Sequence, residues 1–180
     1  MTTARPYLAI LSARFRALLQ YRAAALAGLS TQVFWGLIRM MIFVAFYANA
    51  AGAMPMSLDE TIAYVWLGQA FFAMFPLRGD AEIGAMIRSG NVAYELLRPV
   101  DLYNLWFSRS LAARLAPTAL RAAPILAVAA VAGWLHWPGL ASFGAALMTV
   151  AGAVLLSSAI CTVMDITLFR TISGVGLNQL

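Results

Sequence analysis

The chain has 180 residues, 63% hydrophobic and 11% charged, with a mean hydropathy of +0.82 and a formal net charge of +5. A soluble domain is usually about 45–50% apolar and about 25% charged, so this composition excludes a water-soluble globule and points to an integral membrane protein. All twelve basic residues are arginine, and without a lysine to reach nucleotide phosphates the chain cannot carry a standard P-loop.

Residues 4–22 have helical spacing: Tyr7, Leu8, Leu11, Phe15 and Leu18 share one sector, with Arg5, Arg16 and Gln20 opposite. An Arg-rich amphipathic helix leading into an apolar run is expected to lie in the membrane interface. Residues 23–49 follow as a first span, longer than the ~20 residues a bilayer requires. The run is too long for a signal-peptide core and contains Arg39, so the segment is expected to be retained. A charge near the middle of a span costs at least ~2.5–3.5 kcal/mol. Arg39 therefore either faces a polar cavity or a carboxylate on a neighbouring helix, or snorkels to an interface. Asp165 is the only carboxylate near another expected span.

Residues 50–60 form a short loop, and 61–77 a second, uncharged span ended by Pro76. The polar centre of the chain is 78–99, RGDAEIGAMIRSGNVAYELLRP. Asp80 is an N-cap candidate, and the spacing predicts two helical turns with Ile83, Met86 and Ile87 on one face. Gly90 or Asn91 can supply the left-handed residue that ends them. A second short turn, Val92 to Leu97, should stop before Pro99. Such a helix is either a docking element or an ordinary interfacial loop helix.

Residues 101–121 carry an aromatic belt and a stripe of Arg109, Arg114 and Arg121 expected to face headgroups or a partner. No charge follows until Asp165, which suits two spans over 118–134 and 140–162 joined by the turn Gly133-Trp-Leu-His-Trp-Pro-Gly139. Gly144, Gly152, Ser157, Ser158 and Ala159 would allow close helix packing there. Cys161 is expected to be a small buried hydrophobe and His136 part of an interfacial turn, neither a metal ligand. No catalytic, cofactor-binding or metal constellation is apparent, so an enzyme is not expected. Residues 163–180 look like the start of a further element.

The Arg distribution sets an orientation. Residues 1–22 carry four, 78–121 carry six and Arg170 is the last, whereas the loops 50–60 and 133–140 carry none. The positive-inside rule then puts both termini and 78–99 in the cytoplasm.

The Arg-rich N-terminal helix, two spans, Arg78-Gly-Asp80, Ile87-Arg-Ser-Gly-Asn-Val92, Leu96-Leu-Arg-Pro-Val100 and two further spans together resemble the membrane subunit of type-2 ABC exporters. The resemblance is to the branch related to multidrug and viologen export permeases. It implies an all-α, polytopic membrane protein: one membrane domain over 1–180, with four transmembrane helices, an interfacial helix and a short cytoplasmic coupling helix. It further implies a multi-pass protein of the bacterial plasma (inner) membrane with a cytoplasmic N-terminus. ATP and Mg would be held by a separate ATP-binding cassette subunit, and a second permease subunit, alike or different, would complete the path. Carried over by position, Asp80, Glu82, Ile83, Met86, Ile87, Arg88, Gly90 and Asn91 would form the coupling element and bind that subunit. Six spans are usual in the family, so four raise the expectation of a truncated chain or a variant lacking the last pair. The alternatives are a non-transporting four-span scaffold, a non-functional truncated permease, or, from Arg39 alone, a small channel. Besides these subunits and the lipid bilayer, no nucleic acid is expected as a partner.

Overall fold

Helix accounts for every regular element among the described residues, which are 4–50, 52, 54–135 and 138–171 of a computed structural model. In chain order these are α1 (Arg5–Leu19), α2 (Arg22–Ala48), α3 (Leu58–Phe71), a 3-10 turn (Phe72–Met74), α4 (Ala81–Ser89), α5 (Val92–Leu96), α6 (Leu102–Val131) and α7 (Leu140–Thr171).

Among the described residues three stretches are long and apolar enough to cross a membrane: Ala25–Ala48 within α2, Leu102–Val131 and Leu140–Thr171. At 1.5 Å per residue, α6 and α7 are about 45 and 48 Å long against a hydrocarbon core of about 30 Å. Large apolar side chains stand exposed on all three stretches, among them Phe34, Met41, Ile42 and Phe46 of α2, Val131 of α6, and Leu140 and Met148 of α7, as surface that faces lipid does.

Three expected boundaries change. The second span, expected over 61–77, is not a helix of spanning length. α3 has 14 residues, about 21 Å, and its last turn tightens to 3-10 before Pro76, which pushes Phe75 out of helical conformation. The third span, expected at 118–134, begins at Leu102 instead. α6 runs through Pro117 and Pro124, each of which removes one backbone donor that apolar surroundings make costly but do not forbid. The fourth continues past 162 to Thr171, so 163–171 complete α7 rather than start a new element. His136, Trp137 and 172–180 lie outside the described residues.

The chain divides into two compact units. The first comprises Met1–Leu18, Met74–Ala116 and Leu147–Leu180; the second comprises Leu19–Ala73 and Pro117–Ala146. The division within α6 falls at Pro117.

In the second unit, α3 starts with a capping box. The Ser57 hydroxyl accepts from the Glu60 N–H, and Glu60 Oε2 accepts from the Ser57 N–H at 2.7 Å. Tyr47 near the end of α2 donates to the Met56 carbonyl at 2.8 Å and meets the Thr61 hydroxyl at 2.7 Å, pinning α2 to the start of α3. Gly36 lets the two helices close: a Cβ there would meet the Trp66 ring at 3.1 Å and Gln69 Cγ at 3.2 Å. Trp66, Ala70, Ala122, Ile125 and Ala129 form the core, and Trp66 stacks on Trp134 with ring centroids 4.9 Å apart.

In the first unit the core is Ile83, Ile87, Val92, Leu105, Trp106 and Leu168, with Ile10, Met86 and Ile166 packed against it. Trp106 meets Phe169 edge to face. The apolar face expected on α4 therefore exists, and it is spent inside this unit. The small residues expected to pack α7 divide: Ser157 and Ser158 are buried, whereas Gly144 and Gly152 have no neighbouring atom within 4 Å of a built Cβ.

Candidate functional site: the polar seam around α4

The helix α4 is bounded as its residues dictate. Asp80 caps it, its Oδ1 accepting from the Glu82 N–H at 2.9 Å, and Gly90 ends it in the left-handed region at φ 76°. Arg88 in the last turn complements the helix dipole.

Beneath α4 lies a charged cluster within the first unit. Arg109 of α6 is 8% exposed, and its guanidinium reaches three carboxylates: Glu95 at 3.0 Å, Glu82 at 3.2 Å and Asp80 at 3.8 Å. Glu95, on α5, is 6% exposed and also accepts from Trp106 Nε1 at 2.8 Å. Arg14 of α1 pairs with the same Asp80 and Glu82. Two cations from two long-separated helices thus grip the first turn of α4 and the body of α5. For the buried pair of Arg109 and Glu95 the desolvation cost is offset chiefly by mutual pairing, so the cluster is most sensitive to the loss of either of these two.

The connector leading into α4 is held by α7. Ser157, Cys161 and Asp165 recur every four residues and therefore share one helix face. Ser157 donates to the Met74 carbonyl. Cys161 Sγ lies 3.3 Å from the Arg78 carbonyl. The Asp165 carboxylate accepts from the Asp80 N–H at 3.0 and 3.3 Å. Arg114 of α6 joins the seam, donating to the Arg78 carbonyl at 3.0 Å and contacting Ser157 and Cys161. Gly79 is required at this approach, because a Cβ there would collide with the Asp165 carboxylate. The arrangement ties the connector, α6 and α7 together. It fixes α4 and its connector to α6 and α7, so a displacement of one is resisted by the others.

Of the residues singled out in the sequence, Asp80 and Glu82 join the cluster, and Ile83 and Ile87 are buried in the core with Met86 half-buried beside them. Arg88, Gly90 and Asn91 are exposed. The large apolar groups left uncovered beside them are on and after α5: Tyr94, Leu96 and Leu97, the last 80% exposed. The stripe of Arg109, Arg114 and Arg121 does not face headgroups or a partner as expected. Arg109 and Arg114 turn inward to carboxylates and carbonyls, and Arg121 lies against Gly28 in the second unit. Arg39, also in the second unit, borders a cleft of about 330 Å³ with Thr31, Gln32, Trp35, Gln69 and Phe72. It makes no ion pair among the described residues of its own unit. Among the described residues no group of three or more His, Cys, Asp or Glu converges as a metal site.

Sequence inspection did not find the roles of Arg14, Glu95, Arg109, Arg114, Ser157 and Asp165. One signal was available: Arg109 and Arg114 occur among Trp106, Ser108 and Ser110 on a helix whose charges need partners, and Glu95 and Asp165 are acids set among apolar residues that need partners too.

Comparison with known proteins matches residues 33–174, well over half of the chain, to the family described as ABC-2 family transporter protein. No curated protein and no solved structure matches. The matched stretch contains α3 to α7 complete, and with them every member of the seam except Arg14. The chain belongs to the ABC-2 transporter family.

Proposed function

We propose that the chain is the permease subunit of an ATP-driven exporter, acting with a separate ATP-binding subunit and paired with a second permease around the transport path. In this reading the membrane is the bacterial inner membrane, the N-terminus and α4 are cytoplasmic, and the branch is that of the multidrug and viologen exporters. ATP and Mg are held by the partner, and this chain is not an enzyme.

The observation that carries the reading is the seam. A capped helix with an exposed outer face is tied by Arg14 and Arg109 at its first turn and by Asp165 at its connector. Force applied to that outer face passes to α6 and α7 rather than dissipating in a loop. Because Ile83 and Ile87 are occupied by the core, the partner is met by Ala85, Arg88, Ser89, Gly90 and Asn91 with Tyr94 and Leu97. Exposed large apolar groups beside an Arg are the composition of an interface centre.

Co-purification with the ATP-binding subunit tests this. Arg88→Glu combined with Leu97→Asp is expected to weaken recovery of that subunit at least about tenfold, the size expected for losing one anchor. Arg109→Met, which changes no residue of the outer face, should retain binding below its own melting temperature while lowering transport-stimulated ATP turnover. Full binding after residues 80–90 are replaced by Gly-Ser would overturn the reading. Binding without any stimulation of turnover by the unmodified chain would favour the scaffold.

A further inference from the structure

The cleft bordered by Arg39 is unused by the seam and lies wholly within the second unit. Its volume of about 330 Å³ falls at the small end of the range of ligand pockets, about 300–1,000 Å³. Three features bear on what it takes. First, Arg39 lacks a counter-ion in its own unit. The only carboxylates there are Asp59 and Glu60, which begin α3 about 14 Å of helix rise from Gln69. Glu60 is already engaged by Ser57. Second, Gln32 lines the cleft, is 5% exposed, and neither its Oε1 nor its Nε2 has a hydrogen-bond partner. A buried amide is normally satisfied, and one that is not carries its full desolvation cost. Third, two aromatic side chains, Trp35 and Phe72, stand exposed on the wall beside Thr31 and Gln69.

A guanidinium fork offers two N–H donors and the amides of Gln32 and Gln69 up to four more, against about four lone-pair sites on a carboxylate. The three terminal oxygens of a phosphate monoester accept more of them, and its singly protonated form also donates to Gln32 Oε1. The two aromatic side chains suit an alkyl chain. We infer that this cleft binds an anionic amphiphile, an alkyl or acyl chain bearing a phosphate, whose head meets Arg39 and Gln32 and whose chain lies against Trp35 and Phe72. The inference goes beyond the transport reading: it requires no ATP-binding subunit and would survive that reading's failure.

The test uses the full chain in nanodiscs of zwitterionic phosphatidylcholine, titrated with dodecyl phosphate and followed by tryptophan fluorescence. Trp35→Phe locates the signal. Dodecyl phosphate is expected to bind at least about tenfold more tightly than dodecanol or dodecyltrimethylammonium, the effect of a charge-assisted contact. Arg39→Gln should abolish that preference and Arg39→Lys largely keep it, while Gln32→Leu should weaken dodecyl phosphate several-fold. Inorganic phosphate alone should change nothing. Discs containing phosphatidylglycerol separate the two sources: competition with dodecyl phosphate identifies the bilayer lipid as the occupant, and its absence identifies a free amphiphile. Equal affinity of the wild-type chain for dodecyl phosphate and dodecanol overturns the inference, and needs no variant to fold. So does an Arg39→Gln chain that binds as wild type.

Discussion

Replacing Arg109 by methionine removes the one group shared by Glu95, Glu82 and Asp80 while keeping much of the side-chain volume. Glu95 is the decisive loss. It is 6% exposed and would keep only the Trp106 N–H as a partner. Breaking a buried pair in this way costs about 3–5 kcal/mol, mostly because the remaining charge stays buried. Glu82 shares the same guanidinium but its side chain is 53% exposed, so its pairing is worth at most about 1 kcal/mol. For a chain of this size, at about 2–4 °C per kcal/mol, Arg109→Met should lower the melting temperature by about 6–20 °C. Thermal unfolding in detergent, followed by tryptophan fluorescence, reads this directly. A double-mutant comparison sharpens it. Glu95→Gln in the Arg109→Met background removes the stranded charge while its amide oxygen still accepts from Trp106, and should recover about half of the loss. Glu82→Gln in the same background should recover almost none. A melting temperature for Arg109→Met within about 2 °C of wild type, or rescue by Glu82→Gln equal to that by Glu95→Gln, would refute the burial reasoning.

Two further outcomes follow from local geometry. Gly79→Ala drives a methyl into the Asp165 carboxylate; it should cost about 1–3 kcal/mol, as overpacking does, and speed amide exchange at Asp80, and unchanged exchange there would show that the contact is not made. The Ser57 N–H, and then its hydroxyl, hold Glu60 below the usual glutamate range. A depressed carboxylate contributes stability above its unfolded pKa and loses it as pH falls through the folded value. Wild type should therefore outlast Glu60→Gln at pH 7 by a margin that shrinks as the pH is lowered through the acid range, measured by melting temperature, whereas a margin that does not shrink on acidification would exclude the charged capping box as its source.

Much of the helix architecture was legible in one dimension because it depends on local rules. The bounds of α4 follow from Asp80, whose side chain satisfies an N-terminal N–H, and from Gly90, which alone accepts φ 76° without strain. The ends of α3 and α6 were less legible. Apolar runs carry no register, so neither the shortness of the helix before Pro76 nor the continuation of α6 through Pro117 could be inferred from hydropathy. The apolar face of α4 was legible as a face, but its destination was not: Ile83 and Ile87 fill the core instead of standing free.

By itself the amino-acid sequence determined the class of the protein. An apolar excess with so little charge has no stable partition except into a bilayer, and a chain with no lysine holds no standard P-loop. Only the tertiary structure decided what its charges do. Arg109 and Arg114 looked like a stripe for headgroups until folding set them beside Glu95 and the Arg78 carbonyl. Asp165 looked like the edge of a span until it met the Asp80 N–H from 85 residues away. The physical reason is the range of each interaction. Solvent partition and capping are settled within a few neighbouring residues, whereas the pairing of a buried charge is settled by whichever distant group the fold brings within hydrogen-bond reach.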